Sequence, residues 1–273
     1  MRRLVALYRS PTYSPQQHRQ NDTAILDETV ERLARRGWAV SKAGESEVGA
    51  GRLPPAELYV NMCQGAAASE RLLQLVPLEA LAVNPPASVL NCHRHRLVER
   101  MTDAGLPFPR TLIVPTSEPQ AAAPIVHLLN GDGRPVWVKR GDVHAETRAD
   151  VVSAKEATVI DAIADFARRG VTRVALQAHV PGPILKFYAV ADGSFFHWYP
   201  ADGAQAEVNE ERLRALVFAA ARALELEVFG GDVAVPQPDA PVLIDINDWP
   251  SFAPVRSQAA EAIAAYIDKK ASK

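Results

Sequence analysis

The sequence predicts an α/β protein, with a mostly parallel sheet first and antiparallel α+β elements after it. Three observations carry this. Apolar runs of strand length alternate with amphipathic helices up to about residue 87, the order that builds a parallel sheet. Leu185–Val190 and Phe195–Tyr199 flank Ala191-Asp192-Gly193-Ser194, whose residues suit a hairpin turn. Two further apolar runs, 232–235 and 242–246, flank a proline-rich turn and are expected to pair antiparallel.

In chain order, Leu4–Tyr8 reads as a buried strand and Arg9–Asn21 as a polar loop. In Thr23–Arg36 the residues Ile25, Leu26, Thr29, Val30 and Leu33 recur at helical spacing, and Gly37 stops the helix. Trp38–Ser41, Leu58–Asn61 and Leu81–Asn84 are strands, with Ser69–Leu75 helical between the last two. A helix over 89–104, with Leu90, Leu97, Val98 and Met101 inward, ends at Gly105. The stretch 105–114 then turns into a strand, followed by strand Val136–Lys139, helix Asp161–Arg168 and strand Val174–Gln177. After the hairpin, an alanine-rich helix over Glu210–Leu226 is expected to end at Gly230-Gly231, and residues 257–271 form a terminal helix.

Composition narrows the function. Of 273 residues, 48% are hydrophobic and 23% charged, which excludes a disordered chain. A formal net charge of −2 gives no global basic field for nucleic acid. No run approaches the roughly 18 apolar residues of a membrane span, so no membrane partner is expected. Cys63 and Cys92 are too few for a disulfide framework and too far apart for a zinc pair motif. A reducing, cytoplasmic setting follows as the simplest expectation.

The chemistry concentrates near the end of the chain. The turn between the two late strands centres near residues 238–239, which places Asp232 opposite Asp245. Asn247, two residues on, shares the face of Asp245. Neither strand carries a compensating Lys or Arg, so hard oxygen ligands converge in a set that suits Mg²⁺. The plainer alternative is two solvated acids at strand ends, but Asp245 interrupts an otherwise buried run.

Lys139 leaves an apolar strand into the polar loop 141–146, where an ammonium can reach a nucleotide phosphate or simply snorkel to water. His144 lies in that loop. Lys186 sits within a strand and needs an anionic partner, from a side chain or a ligand phosphate. Gln177-Ala178-His179-Val180-Pro181-Gly182 has the character of a hinge whose backbone can meet a flat base. Cys92-His93-Arg94-His95-Arg96 opens a helix; His93 and His95 splay too far for zinc, leaving an anion site or a solvated face. His18 and Arg19 stand in the first long loop without a rank.

Together these residues resemble the ATP-grasp superfamily. The order matches over most of the chain: Arg94 before Ala104-Gly105-Leu106-Pro107-Phe108-Pro109, the strand Lys139 and its loop, the Gln177-led hinge, then Gly230-Gly231-Asp232-Val233 and Ile244-Asp245-Ile246-Asn247. The resemblance implies a Rossmann-like N-terminal domain over 1–87 and two α+β lobes, 88–176 and 177–273, with ATP between the lobes. It further implies that Arg94, in place of the usual lysine, and Lys139 touch phosphates. Gln177, Ala178, His179 and Val180 would hold adenine, and Asp232, Asp245 and Asn247 would hold Mg²⁺.

Within the superfamily, Leu185-Lys186-Phe187-Tyr188-Ala189-Val190 and Asp245–Phe252 resemble strands of the inositol phosphate kinases. That branch implies a kinase for a small anionic acceptor, with Lys186, Arg94 and His144 around the transferred group. Arg9, Arg19, Arg94, Lys139, Arg140, His144, Lys186 and Arg256 would supply its cationic pocket. The alternative is a carboxylate–amine ligase working through an acyl phosphate, and the third reading is a nucleotide-binding regulatory protein without chemistry.

Overall fold

The computed structural model describes residues 2–13, 19–129, 133–143, 148–203 and 205–272. Leu4, Val5, Ala6 and Leu7 are all buried, so the strand that holds them must be covered on both faces. That strand, β1 (Arg3–Tyr8), is followed by α1 (Arg19–Arg35), β2 (Ala39–Gly44), α2 (Glu45–Gly49), β3 (Leu58–Asn61), α3 (Ala66–Leu75) and β4 (Leu81–Val83). The four strands form one parallel sheet in the order β2-β1-β3-β4. Leu4 and Ala6 pack towards α1, while Val5 and Leu7 pack towards Val48 of α2 and Leu72 of α3.

The helix expected over 89–104 is two helices, α4 (Pro86–Asn91) and α5 (Arg94–Asp103). His93 breaks it by taking an extended backbone, which makes it the N-cap of α5 and sets Arg94 in that helix's first turn. Next come β5 (Thr111–Pro115), α6 (Ala122–Leu129), β6 (Val136–Arg140), β7 (Val151–Ala154), α7 (Val159–Arg168) and β8 (Arg173–Gln177). Their strands form an antiparallel sheet, β5-β8-β6-β7. Val136, Val138, Val174 and Leu176 bury one face under α6 and α7. Alternation therefore turns Trp137, Lys139, Ala175 and Gln177 to the other face.

The last part comprises β9 (Ile184–Val190), β10 (Phe196–Pro200), α8 (Glu210–Leu224), β11 (Val228–Ala234), β12 (Val242–Asp248) and α9 (Arg256–Lys270). The strands form an antiparallel sheet in the order β10-β9-β11-β12. Leu185, Phe187 and Ala189 pack against α5 and α8, each large side chain contributing about 2 kcal/mol. Lys186 and Tyr188 point the opposite way.

Gly230 and Gly231 do not stop α8 as expected; Glu225 ends it in a left-handed conformation (φ 63°). The glycines lie inside β11 because neighbouring backbone comes too close for a side chain. A Cβ on Gly231 would stand 2.2 Å from the Asp245 carbonyl oxygen. Among the described residues no helix is long and apolar enough to cross a membrane, and both Cys63 and Cys92 are free and buried.

Candidate active site

The strand register sets the site. Asp232 of β11 stands opposite Asp245 of β12, as the turn position predicts, with a bulge directly after Asp232. On the other side of β11, Lys186 of β9 stands opposite Asp232, and Tyr199 of β10 opposite Lys186. One row across the sheet thus reads Tyr199, Lys186, Asp232, Asp245. Asn247 is half-buried and shares the face of Asp245.

Neither β11 nor β12 carries a Lys or Arg, as expected, but other elements supply cations to both carboxylates. Lys186 Nζ donates to Asp232 Oδ1 at 2.9 Å. Arg94 Nη2, from the first turn of α5, donates to Asp245 Oδ2 at 2.8 Å. Arg94 Nη1 donates to the Arg140 carbonyl at 2.9 Å, so one side chain bridges the two antiparallel sheets. Burial alone would lower the Lys186 pKa, but the Asp232 carboxylate outweighs it and the pKa is raised.

Lys139 reaches across from β6 and donates to the Ile244 carbonyl of β12 at 3.3 Å. It is only 6% exposed. Burial presses its pKa down to about 8 against the pull of Asp245, and Arg94 pushes the same way. Gln177 Nε2 donates to the same carbonyl at 3.5 Å.

A cavity of about 320 Å³ lies between the two antiparallel sheets; Arg94, Lys186 and Asn247 stand behind its lining, the first two through their bonds to Asp245 and Asp232. Lys139, Gln177, Ala178, His179, Val180, Asp232 and Asp245 all line it, the charged residues from β6, β11 and β12 and the hinge residues from the end of β8 onward. Sequence reading did not single out Trp137, Ile184 and Ile244, which also line it. The alternation of Trp137 with Lys139 along β6 was the available signal for the first of these. Trp137 Nε1 donates to His179 Nδ1 at 3.2 Å, which joins the hinge to β6.

Other expected members are elsewhere. His144 and His18 lie outside the described residues, as does the side chain of Arg19. His95 donates its backbone N–H to the Gly141 carbonyl at 3.1 Å and holds the same oxygen with its ring, while His93 meets the Gln64 carbonyl. Burial lowers the His95 pKa. Of the eight cations expected around a polyphosphate acceptor, Arg94, Lys139 and Lys186 come together at β11 and β12, and the other three with described side chains have partners of their own. Arg9 pairs with Asp22, Arg140 with Asp142, and Arg256 bonds Asn21. A larger recess of about 500 Å³ between α5 and β5 contains none of the predicted site residues.

Among the described residues no group of three or more His, Cys, Asp or Glu can cage a metal. Two carboxylates and an amide oxygen fit Mg²⁺, which completes its shell with water and phosphate oxygens rather than protein alone.

No protein-family model matches the sequence, and no curated protein matches it. Solved structures match along nearly the whole chain. A RimK-domain ATP-grasp protein from Sphaerobacter thermophilus is 19% identical, with a TM-score of 0.70 over 97% of this chain and 99% of that one. A D-cycloserine synthetase is 16% identical, with a TM-score of 0.68 over 97% and 99%. The D-alanine–D-alanine ligase of Bacillus anthracis, solved with ATP, is 11% identical, with a TM-score of 0.73 over 99% and 97%. The chain has the ATP-grasp fold. The inositol phosphate kinase branch gains no support from these structures, whose names include a synthetase and a ligase.

Proposed function

We propose that this protein is an ATP- and Mg²⁺-dependent carboxylate–amine ligase that works through an acyl phosphate. The kinase expectation gives way to its alternative. One observation carries the choice: among the described residues Arg9, Arg140 and Arg256 are engaged with Asp22, Asp142 and Asn21, so Arg94, Lys139 and Lys186 are the cations left beside Asp232 and Asp245, enough for the phosphates of ATP and too few for a polyphosphorylated acceptor as well. The ligase and synthetase names among the structures of this fold support the same reading.

In this reading Gln177, Ala178, His179 and Val180 hold the base in the cavity. Lys139 and Arg94 hold phosphate oxygens beside the carboxylates, and Asp232, Asp245 and Asn247 hold Mg²⁺, which neutralises charge on the transferred group when bound. A substrate carboxylate oxygen takes the γ-phosphoryl group and ADP departs. An amine then attacks the acyl carbon, the C–N bond forms, and phosphate and one proton leave. Lys186 stabilises charge beside Asp232, and the whole rests on positioning and electrostatics. The three-part division at 87 and 176 belongs to the same proposal.

The test is phosphorus NMR of the protein with Mg-ATP and a pool of carboxylates and amines that includes D- and L-amino acids and short peptides. ADP and inorganic phosphate should appear only when a carboxylate and an amine are both present. A new phosphomonoester or diphosphate resonance would overturn the ligase in favour of the kinase.

A further inference from the structure

The two carboxylates that would hold the metal are closed by cations of the chain itself. Asp245 gives Oδ2 to Arg94 at 2.8 Å, and its Oδ1 accepts the Ile246 N–H at 3.1 Å. Asp232 gives Oδ1 to Lys186 at 2.9 Å. We propose that Arg94 and Lys186 are built-in counter-ions that keep the metal seat shut, so that the divalent ion and the nucleotide enter only together. The proposal rests on the reading above for what enters, and on the ion pairs for what excludes the metal alone.

Charge balance argues for it. Among the described residues around the two carboxylates, Arg94, Lys139 and Lys186 face Asp232 and Asp245, so cations already exceed carboxylates. A bare dication added to that excess, in a site where Arg94 is 4% exposed and Asp245 17%, meets repulsion with little screening. MgATP is a dianion, and it reverses the sign of the balance. Its phosphate oxygens accept the hydrogen bonds that Arg94 and Lys186 now spend on carboxylates, and each cation changes partner without being left unpaired. The carboxylate oxygens released in that exchange face the ion. Nucleotide without metal would leave the carboxylates facing phosphates with no cation between them, so each ligand strengthens the other.

The two counter-ions differ in freedom. Lys186 is 43% exposed and can swing aside at small cost, whereas Arg94 is buried and pivots about the bond from Nη1 to the Arg140 carbonyl. Lys186 is therefore the half that can be removed without harm to the fold.

The experiment is a titration of the intact protein with Mn²⁺, with the free ion followed by electron paramagnetic resonance, with and without the non-hydrolysable analogue AMPPNP. Wild-type protein should leave the free signal unchanged without nucleotide and take up Mn²⁺ once the analogue is added. Lys186→Met should bind Mn²⁺ without nucleotide at least about tenfold more tightly than wild type. Arg94→Met should do the same at Asp245, and Lys186→Arg, which keeps the charge, should behave as wild type. Wild-type protein that takes up Mn²⁺ alone as well as Lys186→Met would overturn the proposal and leave the nucleotide reading standing. If Lys186→Met gains Mn²⁺ uptake while AMPPNP binds neither protein, the counter-ions stand and the nucleotide reading falls.

Discussion

Lys139 shows how one buried charge trades stability for binding. Its folded pKa of about 8 lies below the ordinary 10.5, so the folded state holds this proton less tightly than the unfolded chain does. Charged Lys139 therefore destabilises the fold fully below about pH 8, and the penalty fades as pH rises from there towards 10.5. Nucleotide binding has the opposite sign, because phosphates need the ammonium. Affinity for Mg-ATP should fall as pH rises above about 8, by up to about tenfold per pH unit, and calorimetry between pH 7.5 and about 9.5 reads this. Lys139→Met should lose binding while gaining about 1–3 kcal/mol of stability, because Asp245 keeps Arg94 and the Ile244 carbonyl keeps Gln177. A variant less stable than wild type in urea would contradict the burial argument. At this scale the sequence was informative where strand arithmetic applied. Asp232 opposite Asp245 follows from the turn position, whereas the Arg94–Asp245 pair joins residues 151 positions apart and no local pattern announces it.

Elements were legible where one rule governed them and misread where two competed. β1 is an unbroken apolar run and α1 shows a clean helical period, and Gly37 closes α1 with a φ of 91°. At the end of α8 the glycine rule misleads. Gly230 and Gly231 serve the close approach of β9 and β12 to β11, so the capping position falls to Glu225, which holds φ 63° without a glycine's freedom. α6 was not assigned from the sequence; its Pro124 sits in the first turn of the helix, where no N–H is needed. The cap gives a stability prediction. Glu225→Gly removes left-handed strain and loses only a long, exposed contact to Arg100 at 3.8 Å. It should stabilise the protein by about 0.5–1 kcal/mol and raise Tm by about 1–3 °C in calorimetry. An unchanged or lower Tm would mean that the Arg100 contact or unfolded-chain entropy outweighs the strain.

At the scale of the molecule the chain closes on itself. One face of the parallel sheet is covered by α1 and, from the far end of the sequence, by α9 and its approach: Trp249, Phe252, Ile263 and Ile267 share a core with Leu4, Leu26, Val30 and Leu58. Polar ties follow the same seam. Arg2 pairs with Asp268 at 2.8 Å, Arg36 with Glu261 at 2.6 Å, and Arg32 bonds the Ser257 hydroxyl at 2.9 Å. Asn84, just after β4, accepts the N–H groups of Glu227 and Val228 and donates to the Val228 carbonyl. Alternating periodicity could announce a parallel sheet in the first 87 residues, but not that one of its faces is finished by the last helix, since both helices show only their own apolar stripes. Residues 1–87 made alone should therefore stay unfolded or aggregate, with α1 exposing the surface that α9 covers. Joining residues 249–272 to that fragment by a flexible linker should restore helical circular dichroism and a cooperative melt. A cooperative melt from residues 1–87 alone would show instead that the N-terminal sheet folds by itself, and that α9 merely docks on a finished domain.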